Sequence, residues 1–408
     1  MRNQGESLIS DKLAHFVKLR TIGYMQTIAV IFGGRSVEHD VSIITAHIPI
    51  IEALLASAKF DVLPVYIGKD GSWYSSPAMN DLAYFKSPDF EAQLAREKKV
   101  QLSFDNGLSL VWPGLLSKSA RIDVVFPAMH GTYGEDGSLM GLLRMAGAPF
   151  VGCDMAASAV AMDKVLTKQI LAQEGIPVVP SEWFTRKEWS DDNAAVLGRI
   201  SKLKLPLFVK PAHLGSSIGI TKVKNVSELE NALEVALYYD DKILVEEGIQ
   251  NLIEVTLPIM GDNIPRVALV ERPLNKTELF DFESKYMSGG KKGAGANSAY
   301  SRIPADIGEN MTREVIELGK KVYRILGCSG IARVDFLINS AARKVYVIEV
   351  NTMPGSLYHH NWKKAGVSSM ELVLGLVQLA EERFKSQKST NYTFRSEILS
   401  KIGGPKAQ

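Results

Sequence analysis

At 408 residues the chain exceeds one compact core and fits two or three domains. Hydrophobic residues make up 46% and charged residues 23%, which excludes a disordered chain; 47 Lys+Arg against 45 Asp+Glu leave a net charge of +2, too small for a charge-driven nucleic-acid footprint, so small molecules are the expected partners. Two cysteines, Cys153 and Cys328, are too few for a disulfide framework and match no zinc or redox spacing.

Residues 1–24 carry a weak apolar stripe (Leu8, Leu13, Phe16, Val17) broken by Lys12, His15, Lys18 and Arg20. They read as an extension ahead of the first element rather than a secretory core, so a reducing cytoplasm is expected. No apolar run approaches the roughly 20 residues of a membrane helix, and no membrane partner is expected. TIAVIFGG then reads as a buried strand ending in glycine, VSIITAHIPIIEALLAS as a helix, and FDVLPVYIG and RIDVVFPAMHG as further strands. Strands alternating with helices predict a parallel sheet that binds ligands at its carboxyl edge.

A helix-rich stretch, ASAVAMDKVLTKQILAQEG, follows. LPLFVKPAHLGSSIGITKV reads as two strands around a Gly/Ser turn, SELENALEVALYYD as a helix and DKILVEEGI as a strand. Beyond Glu254 the strands EVTLPIMG, RVALVER, IARVDFLI and KVYVIEV surround the helix REVIELGKKVYRILG. GGKKGAGANSAYSR, poor in apolar residues, predicts a mobile loop. These boundaries give an extension (1–24), an α/β domain (25–150), two α+β domains (151–247 and 248–385, with the loop at 287–303) and a polar tail (386–408).

No Walker loop or G-x-G-x-x-G turn is present, so nucleotide binding rests on other groups. If IARVDFLI pairs with KVYVIEV about Ala342, Asp335 falls opposite Glu349, and Asn351 shares the face of Glu349. Hard divalent cations prefer such oxygens, and magnesium bridging nucleotide phosphates fits them, although an exposed polar sheet face has the same pattern. Lys210 at a strand end and the Leu214–Gly219 turn, with Ser216 and Ser217, suit phosphate, as does Lys164. Each also fits an ordinary surface lysine or turn. The strand ending in Glu246 and Glu247, followed by Glu254, offers edges for an adenine and a ribose. Glu38 and His130, in loops after the first and third strands, suit a small zwitterion. Lys285 and Tyr286 precede the mobile loop.

The series IFGGRSVEHDVS, MHGTYGEDGSLMGLL, AMDKVLTK, FVKPAHLGSSIGI, FESKY, ARVDF and IEVNTMPG closely resembles D-alanine–D-alanine ligases of the ATP-grasp superfamily, over about residues 26–385. The resemblance implies an ATP-grasp fold, with a parallel α/β domain ahead of two α+β domains that clamp ATP. It implies ADP-forming ligation of two D-alanines through an acyl phosphate, for peptidoglycan precursors, commonly by a homodimer. Glu38 would hold the ammonium of the first D-alanine, with His130 near its carboxylate. Lys164, Lys210, Ser216 and Ser217 would hold the phosphates; Glu246, Glu247, Ile249, Glu254 and Lys285 would complete the ATP site. Asp335, Glu349 and Asn351 would carry two magnesium ions, for which manganese can substitute. Arg333 and the Gly355 N–H would stabilise the oxyanion, while Ser216 and Tyr286, linked to Glu38, would orient the attacking amine.

Two departures lie near the acceptor. After NTMPG the chain reads SLYHHNWKKAG, shorter than the family's Ser-x-Ser segment, leaving Ser356 or His359, His360 and Lys363 as candidate carboxylate contacts. The loop after Tyr286 is long and carries Lys291 and Lys292. Both leave room for a related D-amino acid ligase with a different acceptor.

Overall fold

The computed structural model describes residues 25–105, 107–274 and 301–402. The first sheet has the order β3-β2-β1-β7, with β1 Gln26–Gly33, β2 Phe60–Ile67, β3 Trp73–Tyr74 and β7 Val124–Pro127. β1 runs parallel to both β2 and β7, and every β1 residue after Gln26 is buried. That continuous apolar run reflects a strand covered on both faces. A small antiparallel sheet, β4 Gln101–Ser103, β5 Ser109–Trp112 and β6 Lys118–Arg121, is inserted before β7.

The helix expected after β1 is broken. α1 (His39–Thr45) passes into a wide turn at Ala46–Ile51, where Ile48 leaves helical dihedrals ahead of Pro49, and resumes as α2 (Glu52–Ser57). Pro49 has no N–H to continue the ladder and its ring crowds the preceding turn. Contrary to the expectation above, His39–Ser57 is long and apolar enough, by length and composition, to cross a membrane. Here it is mostly buried inside the protein, with Ala46, Ile50, Ile51 and Leu54 in the first core. α3 (Ser138–Met145) closes this region.

The stretch AMDKVLTK forms two helices, α4 (Met155–Met162) and α5 (Lys164–Gln173), separated by Asp163. Asp163 accepts hydrogen bonds from Val165 N–H (2.9 Å) and Leu166 N–H (3.1 Å), a side-chain cap that restarts the helix at Lys164. The second sheet, order β10-β9-β11-β8, is antiparallel: β8 Ser181–Thr185, β9 Leu207–Pro211, β10 Thr221–Val223 and β11 Lys242–Glu247. α6 (Leu229–Tyr239) covers it through Ala232, Leu233 and Ala236.

The third sheet, order β13-β12-β16-β17, comprises β12 Leu252–Gly261, β13 Arg266–Val267, β16 Gly330–Asn339 and β17 Lys344–Asn351. RVALVER is not one strand: β13 ends at Val267, and β14 (Arg272–Pro273) pairs instead with β15 (Ser301–Arg302). Between them the Asn361 side chain takes both backbone groups of Leu269, each at 3.0 Å, which a continuous ladder would use. α7 (Glu309–Ile325) lies on this sheet at Gly319, where a Cβ would fall 2.6 Å from Leu257. α8 (Ser369–Lys388) returns to the first sheet, placing Leu372, Val373 and Leu376 in the same core as Ile28 and Val30. The ends of the described chain are thereby joined through one hydrophobic core.

Candidate active site

The β16–β17 hairpin fixes the acidic cluster. Asp335 pairs with Glu349 and Arg333 with Asn351, and a bulge after Asp335 leaves Ile348 as the extra residue. Bulges re-aim side chains. The Asn351 amide donates to Asp335 Oδ2 (3.1 Å) and Glu349 Oε1 (3.5 Å), which leaves its own carbonyl oxygen to act as a ligand. Arg333 donates to Asp335 through Nε (2.7 Å) and Nη2 (2.6 Å), and reaches Glu349 at 4.0 Å. Burial alone would lower the Arg333 pKa, but Asp335 more than offsets it and holds the guanidinium charged. Its other face meets the Tyr358 ring, 5.1 Å away.

Across the cleft lie three lysines. Lys164, the first residue of α5, is buried and donates to Leu214 C=O at 2.5 Å. Burial lowers its pKa; Glu349, Glu246 and Glu38 pull upward and Lys210 pushes down, so all four act on one ammonium. Lys210 pairs with Glu246, whose other oxygen takes Lys168 at 2.6 Å. Two ammonium groups on one buried carboxylate leave a positive excess, suited to an anion. The pair of lysines overrides desolvation and holds Glu246 below the usual carboxylate range.

The Gly/Ser turn and the Glu38 loop meet. Ser216 and Ser217 both adopt left-handed backbone, with φ of +54° and +60°. The Ser216 hydroxyl donates to Glu38 Oε1. Gly131 and Gly215 permit that approach, since a Cβ would fall 2.8 Å and 3.2 Å from Glu38 Oε2. One cleft brings together Glu38, Glu135, Lys164, Gly215, Glu349 and Asn351.

His130 is buried behind this cleft. Its Nε2 meets Thr45 Oγ1 at 2.8 Å, and that hydroxyl also accepts the Ser356 N–H at 2.9 Å. Gly355 opens a short turn in which Ser356, Leu357 and Tyr358 all have positive φ, from +46° to +52°. The two neighbouring histidines that the sequence offered as carboxylate contacts are each engaged through one ring nitrogen. His359 contacts Ser369 Oγ (3.1 Å) and His360 pairs with buried Glu271 (3.0 Å). Of the adenosine candidates, Glu246 ends inside the cleft wall, Ile249 lies in the loop after β11, and Glu254 stands on β12 opposite Leu337. The Glu247 carboxylate instead accepts the Lys204 N–H at 3.0 Å. Lys285, Tyr286 and loop residues 287–300 lie outside the described residues.

Sequence reasoning missed Lys168, Glu135, Thr45 and His213. Lys168 had a signal, one helical turn beyond Lys164 in AMDKVLTK. Glu135 joins the His130 loop to the strand-end loop, accepting from Gly131 N–H (2.9 Å) and Met353 N–H (3.1 Å). Nothing local marked Thr45.

Comparison with known proteins places the chain in one family. Family models described as D-ala D-ala ligase N-terminus and C-terminus match residues 27–153 and 170–378. The D-alanine–D-alanine ligase of Thermosipho melanesiensis is 39% identical over 369 residues, covering 89% of this chain and 96% of that protein. The solved D-alanine–D-alanine ligase of Coxiella burnetii superposes with a TM-score of 0.75 at 30% identity, over 90% of this chain and 97% of that one. The VanG D-Ala:D-Ser ligase of Enterococcus faecalis gives 0.72 at 31%, over 88% and 100%. By sequence over nearly its whole length and by fold, the chain belongs to the D-alanine–D-alanine ligase family.

Proposed function

We propose that the protein joins two D-alanines to D-alanyl-D-alanine at the expense of ATP, releasing ADP and phosphate, as a cytoplasmic step toward peptidoglycan. The observation that carries this reading is the convergence of Glu349 and Asn351, the latter hydrogen-bonded to Asp335, with Lys164 around one cleft, beside the buried Lys168–Glu246–Lys210 cluster.

Each end of the cleft has its part. Lys164, Lys210 and the Ser216–Ser217 backbone hold the ATP phosphates, while Glu246, Glu247, Ile249 and Glu254 line the adenosine. Lys210 leaves Glu246 for a phosphate oxygen, and Lys168 remains to keep Glu246 compensated. Asp335, Glu349 and Asn351 are a hard-oxygen set that fits magnesium, which when bound neutralises phosphate charge. Glu38 takes the ammonium of the first D-alanine, with His130 toward its carboxylate end, and Ser356 stands toward the carboxylate of the second. That carboxylate attacks the γ-phosphorus, forming the acyl O–P bond as the bond to ADP breaks. The second amine, as the free base and oriented by the Ser216 hydroxyl, attacks the acyl carbon; the acyl C–O bond then breaks, phosphate leaves with its electron pair, and the amine's surplus proton passes to the departing phosphate. Arg333 and the Gly355 N–H hold the oxyanion of the intervening tetrahedral adduct.

Incubation with ATP, magnesium and D-alanine as sole amino acid tests the reading. Equimolar ADP and D-alanyl-D-alanine are expected. ADP release that appears only when a different amino or hydroxy acid is added would overturn the choice of acceptor.

A further inference from the structure

His213 lies at the hinge of the phosphate-facing elements, between the end of β9 and the Ser216 turn. Its backbone N–H donates to Asp240 Oδ2 at 2.8 Å. Its ring Nδ1 meets both Asp240 oxygens at 3.0 Å, and Nε2 meets Asp163 Oδ2 at 3.3 Å. Both ring nitrogens face carboxylate oxygens, which only accept, so both carry hydrogen and the ring is an imidazolium.

The two carboxylates do separate work. Asp163 caps α5 immediately before Lys164, and its Oδ2 also takes Lys242 Nζ at 2.7 Å. Asp240 ends α6 and accepts the Lys242 N–H at 3.2 Å. Lys164 in turn ties back to the turn twice, through its N–H to Ala212 C=O (3.1 Å) and its ammonium to Leu214 C=O (2.5 Å). The path His213–Asp163–Lys164–Leu214 is therefore a closed loop around one corner of the cleft.

We propose that His213 is a positioning residue for the ATP triphosphate: by bridging Asp163 and Asp240 it fixes Lys164 and the Ser216 turn relative to each other. This rests on the ATP reading above and adds to it a residue that does not itself touch the nucleotide. The charged groups around the ring are Asp163 from the α5 cap, Asp240 and Asp241 after α6, and Lys242 on β11, the last already engaged by Asp163. The carboxylates outweigh burial and push the imidazole up to about 9. The clamp is thus complete at neutral pH and opens as pH rises through that value. The side chain is 42% exposed, so substitution leaves the core untouched.

Equilibrium binding of ATP and of adenosine to the full chain, from pH 7 to 10, tests this on wild type, His213→Gln and His213→Arg. Wild type should lose ATP affinity above about pH 9 while adenosine binding stays level. His213→Gln should bind ATP about tenfold more weakly at pH 7.5, a loss typical of one charge-assisted hydrogen bond, with adenosine unchanged. His213→Arg, permanently charged, should restore affinity and remove the alkaline loss. Wild-type ATP affinity in His213→Gln overturns the proposal, as does an equal loss of ATP and adenosine, which marks a general structural role. Wild type that binds adenosine but no ATP at any pH overturns the triphosphate reading itself.

Discussion

Arg333 grips Asp335 with two hydrogen bonds, 2.7 and 2.6 Å long, from two places up the same strand. One face of β16 thus presents a fixed cation directly beside a carboxylate proposed to hold the metal. The pair keeps the planar guanidinium aimed before substrate arrives, which is the preorganisation an oxyanion donor requires. Arg333→Ala should lower kcat by about 10²–10³, in line with loss of one such donor, while the Kd for ATP stays within about threefold. Steady-state kinetics with parallel nucleotide binding separates the two effects. An equal loss of both would assign Arg333 to nucleotide binding instead.

Glu38 is drawn into the central turn by the Ser216 hydroxyl although the two stand 178 residues apart. If it receives the first D-alanine's ammonium, Glu38→Gln removes a charge but preserves the shape. The KM for that substrate should rise about 30-fold, the worth of one hydrogen bond to a charged group, and ATP binding should be unaffected. Ser216→Ala should show a smaller KM rise together with a slower second half-reaction.

The Lys168–Glu246–Lys210 cluster makes a stability prediction independent of catalysis. Glu246→Gln leaves two interior ammonium groups without their counter-charge, and urea unfolding should record a loss of about 3–5 kcal/mol. Lys168→Met, which keeps the Lys210–Glu246 pair, should cost less. Equal stability of Glu246→Gln and wild type would show that neither lysine depends on this carboxylate.

Acid sensitivity follows from Asp163. Burial would raise its pKa, but hydrogen bonds from His213 and Lys242 more than offset that and hold it below the ordinary range. A depressed folded value contributes stability that is present above the unfolded value, about 4, and is lost as pH falls below it. Melting temperature should therefore drop between pH 5 and pH 3, and Asp163→Asn, already lacking the charge, should show a shallower drop.

Much of the site was legible because strand geometry is arithmetic. Pairing about Ala342 put Asp335 opposite Glu349, and the period of two put Asn351 beside them. The existence of β1 and β2 as strands was legible from their apolar runs. What stayed hidden depended on side chains meeting across long separations. Asn361 interrupting the ladder at Leu269 has no local signature, nor does Thr45 supporting Ser356. His213 looked like part of a turn until Asp163 and Asp240 were seen on either side of it. The break at Pro49 was visible in the sequence, but the apolar pattern on both sides read as a single helix.

The central claim is that a D-alanine carboxylate oxygen attacks the γ-phosphorus. D-Alanine labelled with 18O in its carboxylate, turned over with ATP and magnesium, tests it directly by mass spectrometry of the products. One labelled oxygen per released phosphate, with ADP unlabelled, is the predicted result. Phosphate without label, or label carried into AMP, would contradict it.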